Sequence, residues 1–226
     1  MQRFAVYFAP REGAFATHAA AWLGWDAALG KPVAHPKLAG LPAPLANLTA
    51  TPRKYGFHAT IRAPFRPVDG LTAGQIAQTI ADLAHKLAPV TCAGLQIENL
   101  HGFLALTPIG REAALRDLAA QVVAGTNALR APLTATERAK RRPDQLSPRQ
   151  LALLDHWGYP GVMEEFRFHL TLTGQLAADQ VAQVTQAAQV HFGPVLPRPF
   201  VVQDLCLFGE DAIGRFHLLH RYPLSG

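Results

Sequence analysis

Apolar and polar residues alternate in the first strand-length segment: Phe4, Val6 and Phe8 face one way, Arg3, Ala5 and Tyr7 the other, and Pro10 ends the run. A period of two marks a half-buried strand. The period lengthens to a helical one over residues 13–29, where Trp22, Leu23, Trp25 and Leu29 recur, and the five prolines of residues 31–53 predict a long loop. Beyond it the order strand, helix, hairpin is expected twice. In the first copy the strand covers residues 57–64, a helix capped by Thr72 covers 72–87, and a hairpin joins 92–99 to 103–107 near His101 and Gly102. In the second the strand covers 166–173, the helix 177–190, and the hairpin joins 200–208 to 215–222. Between the copies lie a helix over 112–129, a basic connector over 131–146, and a helix begun by Ser147 and Pro148 and stopped by Gly158 and Pro160.

This repetition predicts an α+β fold of two pseudo-twofold-related lobes, each an antiparallel sheet with helices on its outer face, with the active cleft between the sheets. The first lobe is expected over residues 1–130 and the second over 147–226, joined by 131–146 in one bilobal domain over 1–226.

At 226 residues, 49% hydrophobic and 16% charged, the chain is able to bury a sizeable core, which excludes a disordered protein. Its two cysteines, Cys92 and Cys206, supply neither a disulfide framework nor a four-thiolate zinc site, and each lies in an apolar strand as a core thiol would. A reducing, cytoplasmic setting is expected, since the N-terminus has no signal-peptide apolar run and no stretch reaches the roughly 18 apolar residues of a membrane helix. A net charge of +5 points to an anionic partner. The densest basic cluster, Arg138, Lys140, Arg141 and Arg142, lies in the connector without interleaved aromatics and reads as a solvated linker.

The candidate chemistry sits where the two copies open with nearly the same word, Phe57-His58-Ala59-Thr60-Ile61 and Phe168-His169-Leu170-Thr171-Leu172. Strand alternation puts His58, Thr60 and Arg62 on one face, and Arg167, His169, Thr171 and Thr173 on the matching one. A single His-x-Thr on a half-exposed strand is ordinary sheet surface, whereas two in matching repeats point to a shared site. Paired imidazoles suit transfer at phosphorus, where one removes a proton from the nucleophile and the other supplies one to the leaving oxygen. The hydroxyls of Thr60 and Thr171 can donate to the non-bridging oxygens, so no metal or cofactor is expected. His-Glu-x-x-His, Walker-type and Gly-x-Gly-x-x-Gly motifs are all absent. Arg62 and Arg167 are candidate contacts to a second phosphate, and Tyr55 a candidate to stack on the substrate or donate to it. The alternative is a non-catalytic nucleotide- or RNA-binding module in the same basic cleft, which needs the arginines but not the histidines.

With both motifs in place, the sequence resembles the 2H phosphoesterase superfamily, named for two His-x-Thr motifs on symmetry-related strands. The segments Pro52 to Phe65 and His156 to Leu176 look like its DUF1045-like branch, associated with bacterial phosphonate metabolism, although Gly161 stands where that branch carries an aromatic residue. The resemblance spans nearly the whole chain. It implies a metal-independent cyclic phosphodiesterase with His58, Thr60, His169 and Thr171 at the motif positions. The implied substrate is a ribose cyclic phosphate such as 5-phosphoribosyl 1,2-cyclic phosphate. The expected partner is thus a small phosphorylated sugar or nucleotide, with an RNA end as a further substrate class, and no membrane or obligate protein partner.

Overall fold

A computed structural model describes residues 1–226. In the first half of the chain, β1 (Phe4–Phe8) leads into α1 (Ala14–Leu23), which stops at Gly24 in the left-handed conformation. The helix expected over 13–29 is therefore shorter, and Trp25 lies in a small ribbon of β2 (Trp25–Asp26) and β3 (Lys31–Pro32). The segment read as a loop over 31–53 also holds two single turns, α2 (Leu45–Leu48) and α3 (Ala50–Arg53). Then come β4 (Ala59–Phe65), α4 (Ala73–Ala84), β5 (Val90–Cys92), β6 (Leu95–Leu100) and β7 (Phe103–Pro108). Thr72 caps α4 in a reciprocal bond with Gln75, the capping-box arrangement.

Further on, α5 (Glu112–Gly125) and α6 (Ala135–Ala139) precede α7 (Pro148–Trp157), which Ser147 caps and Gly158 ends. The chain closes with β8 (Leu170–Thr171), α8 (Val181–Phe192), β9 (Phe200–Val202), β10 (Asp204–Glu210) and β11 (Phe216–Pro223). No helix is long and apolar enough to cross a membrane.

The α+β class and the antiparallel pairing match the sequence reading. Seven strands join in the order β11-β10-β1-β4-β8-β7-β6, so the two expected sheets meet edge to edge, at a single residue pair between β4 and β8, Ala59 opposite Leu170. Each half of the sheet draws on both ends of the chain. The C-terminal hairpin β10–β11 pairs with β1, and the first-half hairpin β6–β7 pairs with β8. The connector at 131–146 thus divides the order of elements and not the halves of the sheet.

Helices α1, α4, α5 and α8 all cover one face, where Trp22, Ile76, Ile80, Leu115, Val122 and Phe192 pack against Val6, Ala59, Ile61, Leu170 and Leu172. Burial of this apolar surface is the main force holding the layers together. The indole N–H of the buried Trp22 donates to the carbonyl of Leu172 at 2.9 Å, tying α1 to the short β8. The other face carries a small cluster around Tyr7, Trp25, Phe208 and Phe216 and is otherwise open.

Candidate active site

The open face is organised by the one residue pair that joins the half-sheets. With Ala59 opposite Leu170 and both turned to the helices, antiparallel register sets His58 across from Thr171 and Thr60 across from His169 on the other face. A local twofold through that pair relates the two His-x-Thr words. The cleft there encloses about 250 Å³ and is lined by Tyr7, Tyr55, His58, Thr60, Tyr159 and Thr171, among others.

The chain enters β4 through Gly56, with φ at +72°, a value that L side chains rarely adopt; a Cβ there would lie 2.5 Å from that of Ala27. The turn sets the Gly56 carbonyl 2.9 Å from Nδ1 of His58. A carbonyl only accepts, so neutral His58 carries its proton on Nδ1 and leaves Nε2 as the basic nitrogen, 3.2 Å from Oγ1 of Thr60. His169 repeats the arrangement: its Nδ1 lies 2.8 Å from the carbonyl of Arg167, and its Nε2 has no partner within the chain. Both imidazoles are thus held in the same tautomer by the carbonyl two residues earlier.

Tyr7 stacks on His58, with ring centroids 3.8 Å and planes 25° apart, and Tyr55 flanks it at 5.9 Å. Burial pushes the His58 imidazole down to about 4; the Gly56 carbonyl opposes the shift and a charge on His169 adds to it. Burial also lowers His169 from its usual 6.5, against the pull of the Arg167 carbonyl. Of the pair, His58 resists protonation more. The Tyr7 phenol, held well above 10 by burial, stays a neutral donor. This arrangement can take a proton at one Nε2 and give one at the other, with the Thr60 hydroxyl beside the first. No three His, Cys, Asp or Glu side chains cluster as metal ligands would.

Not every candidate reaches the cleft. In β4 the register against β1 shifts, so that Tyr7 lies opposite Thr60 but Val6 lies opposite Arg62. The inserted residue turns Arg62 to the helix face, where it is buried and donates to the Trp157 carbonyl at 2.8 Å. Strand parity fails there because it assumes an unbroken ladder. Arg167 is exposed and folds back on the carbonyls of Glu164 and Phe166, at 3.1 and 3.0 Å. Tyr55, His58, Thr60 and Thr171 do line the cleft, and Thr173, buried beside them, accepts from the Leu104 N–H at 2.9 Å, whereas His169, across from Thr60 in register, stands outside the lining itself.

Three lining residues escaped the sequence reading. Tyr7 follows the parity of Ala5 and Ala9, small neighbours that leave room for its ring over the strand face. Tyr159 contributes a second aromatic, and a Cβ at Gly161 would come within 3.1 Å of its ring. Arg141 belongs to the cluster read as a solvated linker, yet its guanidinium lies 4.9 Å over the Tyr159 ring at the edge of the cleft. The net positive charge of that cluster was its only signal.

Residues 60–217 match the family described as "Protein of unknown function (DUF1045)". Among curated proteins, the chain is similar to ribose 1,5-bisphosphate phosphokinase PhnN of Janthinobacterium sp. (strain Marseille), at 36% identity over 233 residues, covering 100% of this chain and 51% of that protein. The protein of the same name from Laribacter hongkongensis (strain HLHK9) is 37% identical over 213 residues, covering 94% and 49%. The chain therefore spans about half the length of the curated relatives it matches. Among solved structures, TT0787 of Thermus thermophilus aligns over 99% of this chain and 98% of its own at 15% identity and a TM-score of 0.48. E. coli LigT complexed with 3'-AMP aligns over 100% and 99% at 15% identity and a TM-score of 0.46.

Proposed function

The chain belongs to the DUF1045 family and carries both His-x-Thr motifs of the 2H phosphoesterase superfamily, and on that premise we propose that it is a phosphoesterase opening a cyclic phosphodiester of ribose. The observation that carries the reading is the matched pair of imidazoles, each with Nδ1–H held by a backbone carbonyl, so that Nε2 is the basic nitrogen of both; that of His169 is unpartnered and that of His58 meets only the Thr60 hydroxyl. In the proposed reaction, Nε2 of neutral His58 removes a proton from a water that attacks phosphorus. The protonated Nε2 of His169 gives its proton to the departing ribose oxygen. The two ester bonds to phosphorus become one, and the product is a phosphate monoester.

The roles are assigned from relative proton affinity: burial lowers both imidazoles, but His58, packed under Tyr7, is pushed down to about 4, so His169 is the one that takes up a proton more readily and is given the acid's part. The hydroxyl of Thr60, turning from Nε2 of His58, and that of Thr171 donate to the non-bridging oxygens, where charge is spread in the transition state. None of these steps calls on a metal ion.

The relatives' name supports a ribose substrate. Opening 5-phosphoribosyl 1,2-cyclic phosphate at its 2-oxygen gives ribose 1,5-bisphosphate, the compound in the name of both curated relatives. This chain holds no Walker-type nucleotide loop, so the kinase activity in that name is not assigned to it. The reading places it before such a kinase, in phosphonate catabolism. Phosphorus NMR on a panel of 2′,3′-cyclic nucleotides and ribose 1,2-cyclic phosphates tests the proposal. Conversion of a ribose 1,2-cyclic phosphate to the 1-phosphate supports it; a panel left intact at stoichiometric enzyme refutes it.

A further inference from the structure

The histidine cleft opens into a second, larger depression of about 520 Å³, and Tyr55, Pro64 and Arg141 line both. Its wall carries six cations: Arg3, Lys54, Arg66, Arg130, Lys140 and Arg141. Only two carboxylates face them, Glu137 and Glu210. Glu210 is taken by Arg3, and Glu137 by Arg66 at 2.9 Å. Arg130 is spent on the carbonyls of Ala131 and His156, at 3.1 and 3.2 Å. The side chains of Lys54, Lys140 and Arg141 form no ion pair or hydrogen bond within the chain. Lys54 Nζ instead lies 4.8 Å over the ring of Tyr55, and the Arg141 guanidinium 4.9 Å over that of Tyr159. An aromatic face holds a cation in place without neutralising it, so three unspent positive charges line a depression that adjoins the cleft of His58. They come from two distant parts of the chain, Lys54 just after α3, and Lys140 and Arg141 just after α6.

We propose that this depression is the subsite for a second phosphate, so that the substrate class is a sugar phosphorylated at both ends, its cyclic phosphate between His58 and His169 and its terminal phosphate on Lys54, Lys140 and Arg141. The inference rests on the reading above for the doubly phosphorylated ribose and adds to it the place and the residues that hold the second phosphate. A terminal phosphate monoester carries close to two negative charges at neutral pH and three acceptor oxygens, which suits a cluster of unpaired donors. A diester of a longer chain carries one charge per phosphate and needs a track of cations, whereas these three are gathered in one depression. The depression also answers why the arginines at strand positions 62 and 167 are engaged elsewhere: the second anion is held by the connector and by the turn before β4.

Calorimetric binding of ribose 1,5-bisphosphate and of ribose 1-phosphate to the whole chain, at fixed ionic strength, tests the subsite without relying on turnover. The wild type is expected to prefer the bisphosphate by about a thousandfold, since three charge-assisted contacts are each worth roughly tenfold. In Lys54→Ala/Lys140→Ala, with its folding checked by circular dichroism and melting temperature, that preference is expected to fall to about tenfold, the share left to Arg141. A Lys54→Gln/Lys140→Gln pair, which keeps the side-chain length, should behave alike. Equal affinity of the wild type for both ligands, or a preference undiminished in both double variants, overturns the subsite. So does a short oligoribonucleotide that displaces the bisphosphate at lower concentration than ribose 1,5-bisphosphate itself. A lysine-dependent preference in a chain that opens no cyclic phosphate keeps the subsite and removes the hydrolase reading. Turnover indifferent to a second phosphate does the reverse.

Discussion

Replacing Arg62 separates a structural arginine from a substrate-binding one. Its guanidinium is buried between the ends of α5 and α7, where it donates to the Trp157 carbonyl at 2.8 Å and leaves Nε without a partner. Burial, with the charge of Arg130 adding to it, lowers its pKa from the usual guanidinium range to about 10. Holding the charge there costs on the order of 3 kcal/mol at neutral pH, a cost that fades only as pH rises above about 10. A hydrogen bond from a charged donor returns about 1.5–3 kcal/mol. The two nearly cancel. Arg62→Met keeps the apolar stem, removes the buried charge and leaves one carbonyl short of a donor, so its stability should stay within about 1 kcal/mol of wild type. Arg62→Ala also opens a cavity and should lose about 2–4 kcal/mol. For a chain of this size that is a fall in Tm of about 5–15 °C, against about 4 °C or less for Arg62→Met. Thermal melts alongside steady-state kinetics report both quantities. An Arg62→Met protein with wild-type Tm but a KM raised tenfold would refute the placement, because the guanidinium would then be touching substrate.

The remaining predictions concern the histidines and what orients them. With His58 as base and His169 as acid, kcat/KM should be highest from about 4 up to the lowered His169 value, below its usual 6.5, and decline as pH climbs through it; a profile flat to pH 8 contradicts the assignment. Because the unfolded chain protonates His58 below 6.5 while the folded chain resists until about 4, stability should fall as pH drops through that window, and His58→Gln should flatten the dependence in urea titrations. Thr60→Val and Thr171→Val should each lower kcat by about 10² to 10³ with a smaller change in KM, since each removes a donor used mainly in the transition state. Gly56→Ala, which meets both the +72° φ and the Cβ of Ala27, should cost about 1–3 kcal/mol and release the His58 Nδ1 proton, seen as loss of its downfield NMR signal. A retained signal in a folded Gly56→Ala protein would show that the turn does not set the tautomer.

Local rules reached much of this molecule. The Thr72 and Ser147 caps and the hairpin turning at His101 and Gly102 stand where periodicity and turn chemistry put them, and the first motif strand begins just after His58, at Ala59. What escaped was long-range. Pairing of β10–β11 with β1 and of β6–β7 with β8 leaves no mark in either segment alone, because an alternating strand fits many neighbours. The second His-x-Thr strand keeps only Leu170 and Thr171 in regular pairing, though the alternation around it suggests a longer run. At Arg62 one bulge reversed the face that counting assigned. The convergence of Lys54 with Arg141 depends on how the connector folds back over the sheet, and composition recorded it only as surplus positive charge.

The central claim is that His58 and His169 act as one base and one acid on a phosphate ester, and single-turnover opening of a ribose 1,2-cyclic phosphate by EDTA-treated protein tests it most directly. Phosphorus NMR would follow wild type, His58→Ala, His169→Ala and the double variant, with phosphate-ester binding measured in each. The account predicts EDTA-resistant turnover in wild type, losses of about 10² to 10⁴ in each single variant, and a double variant little slower than the worse single one. Turnover that survives either substitution within tenfold, or that EDTA abolishes, contradicts it.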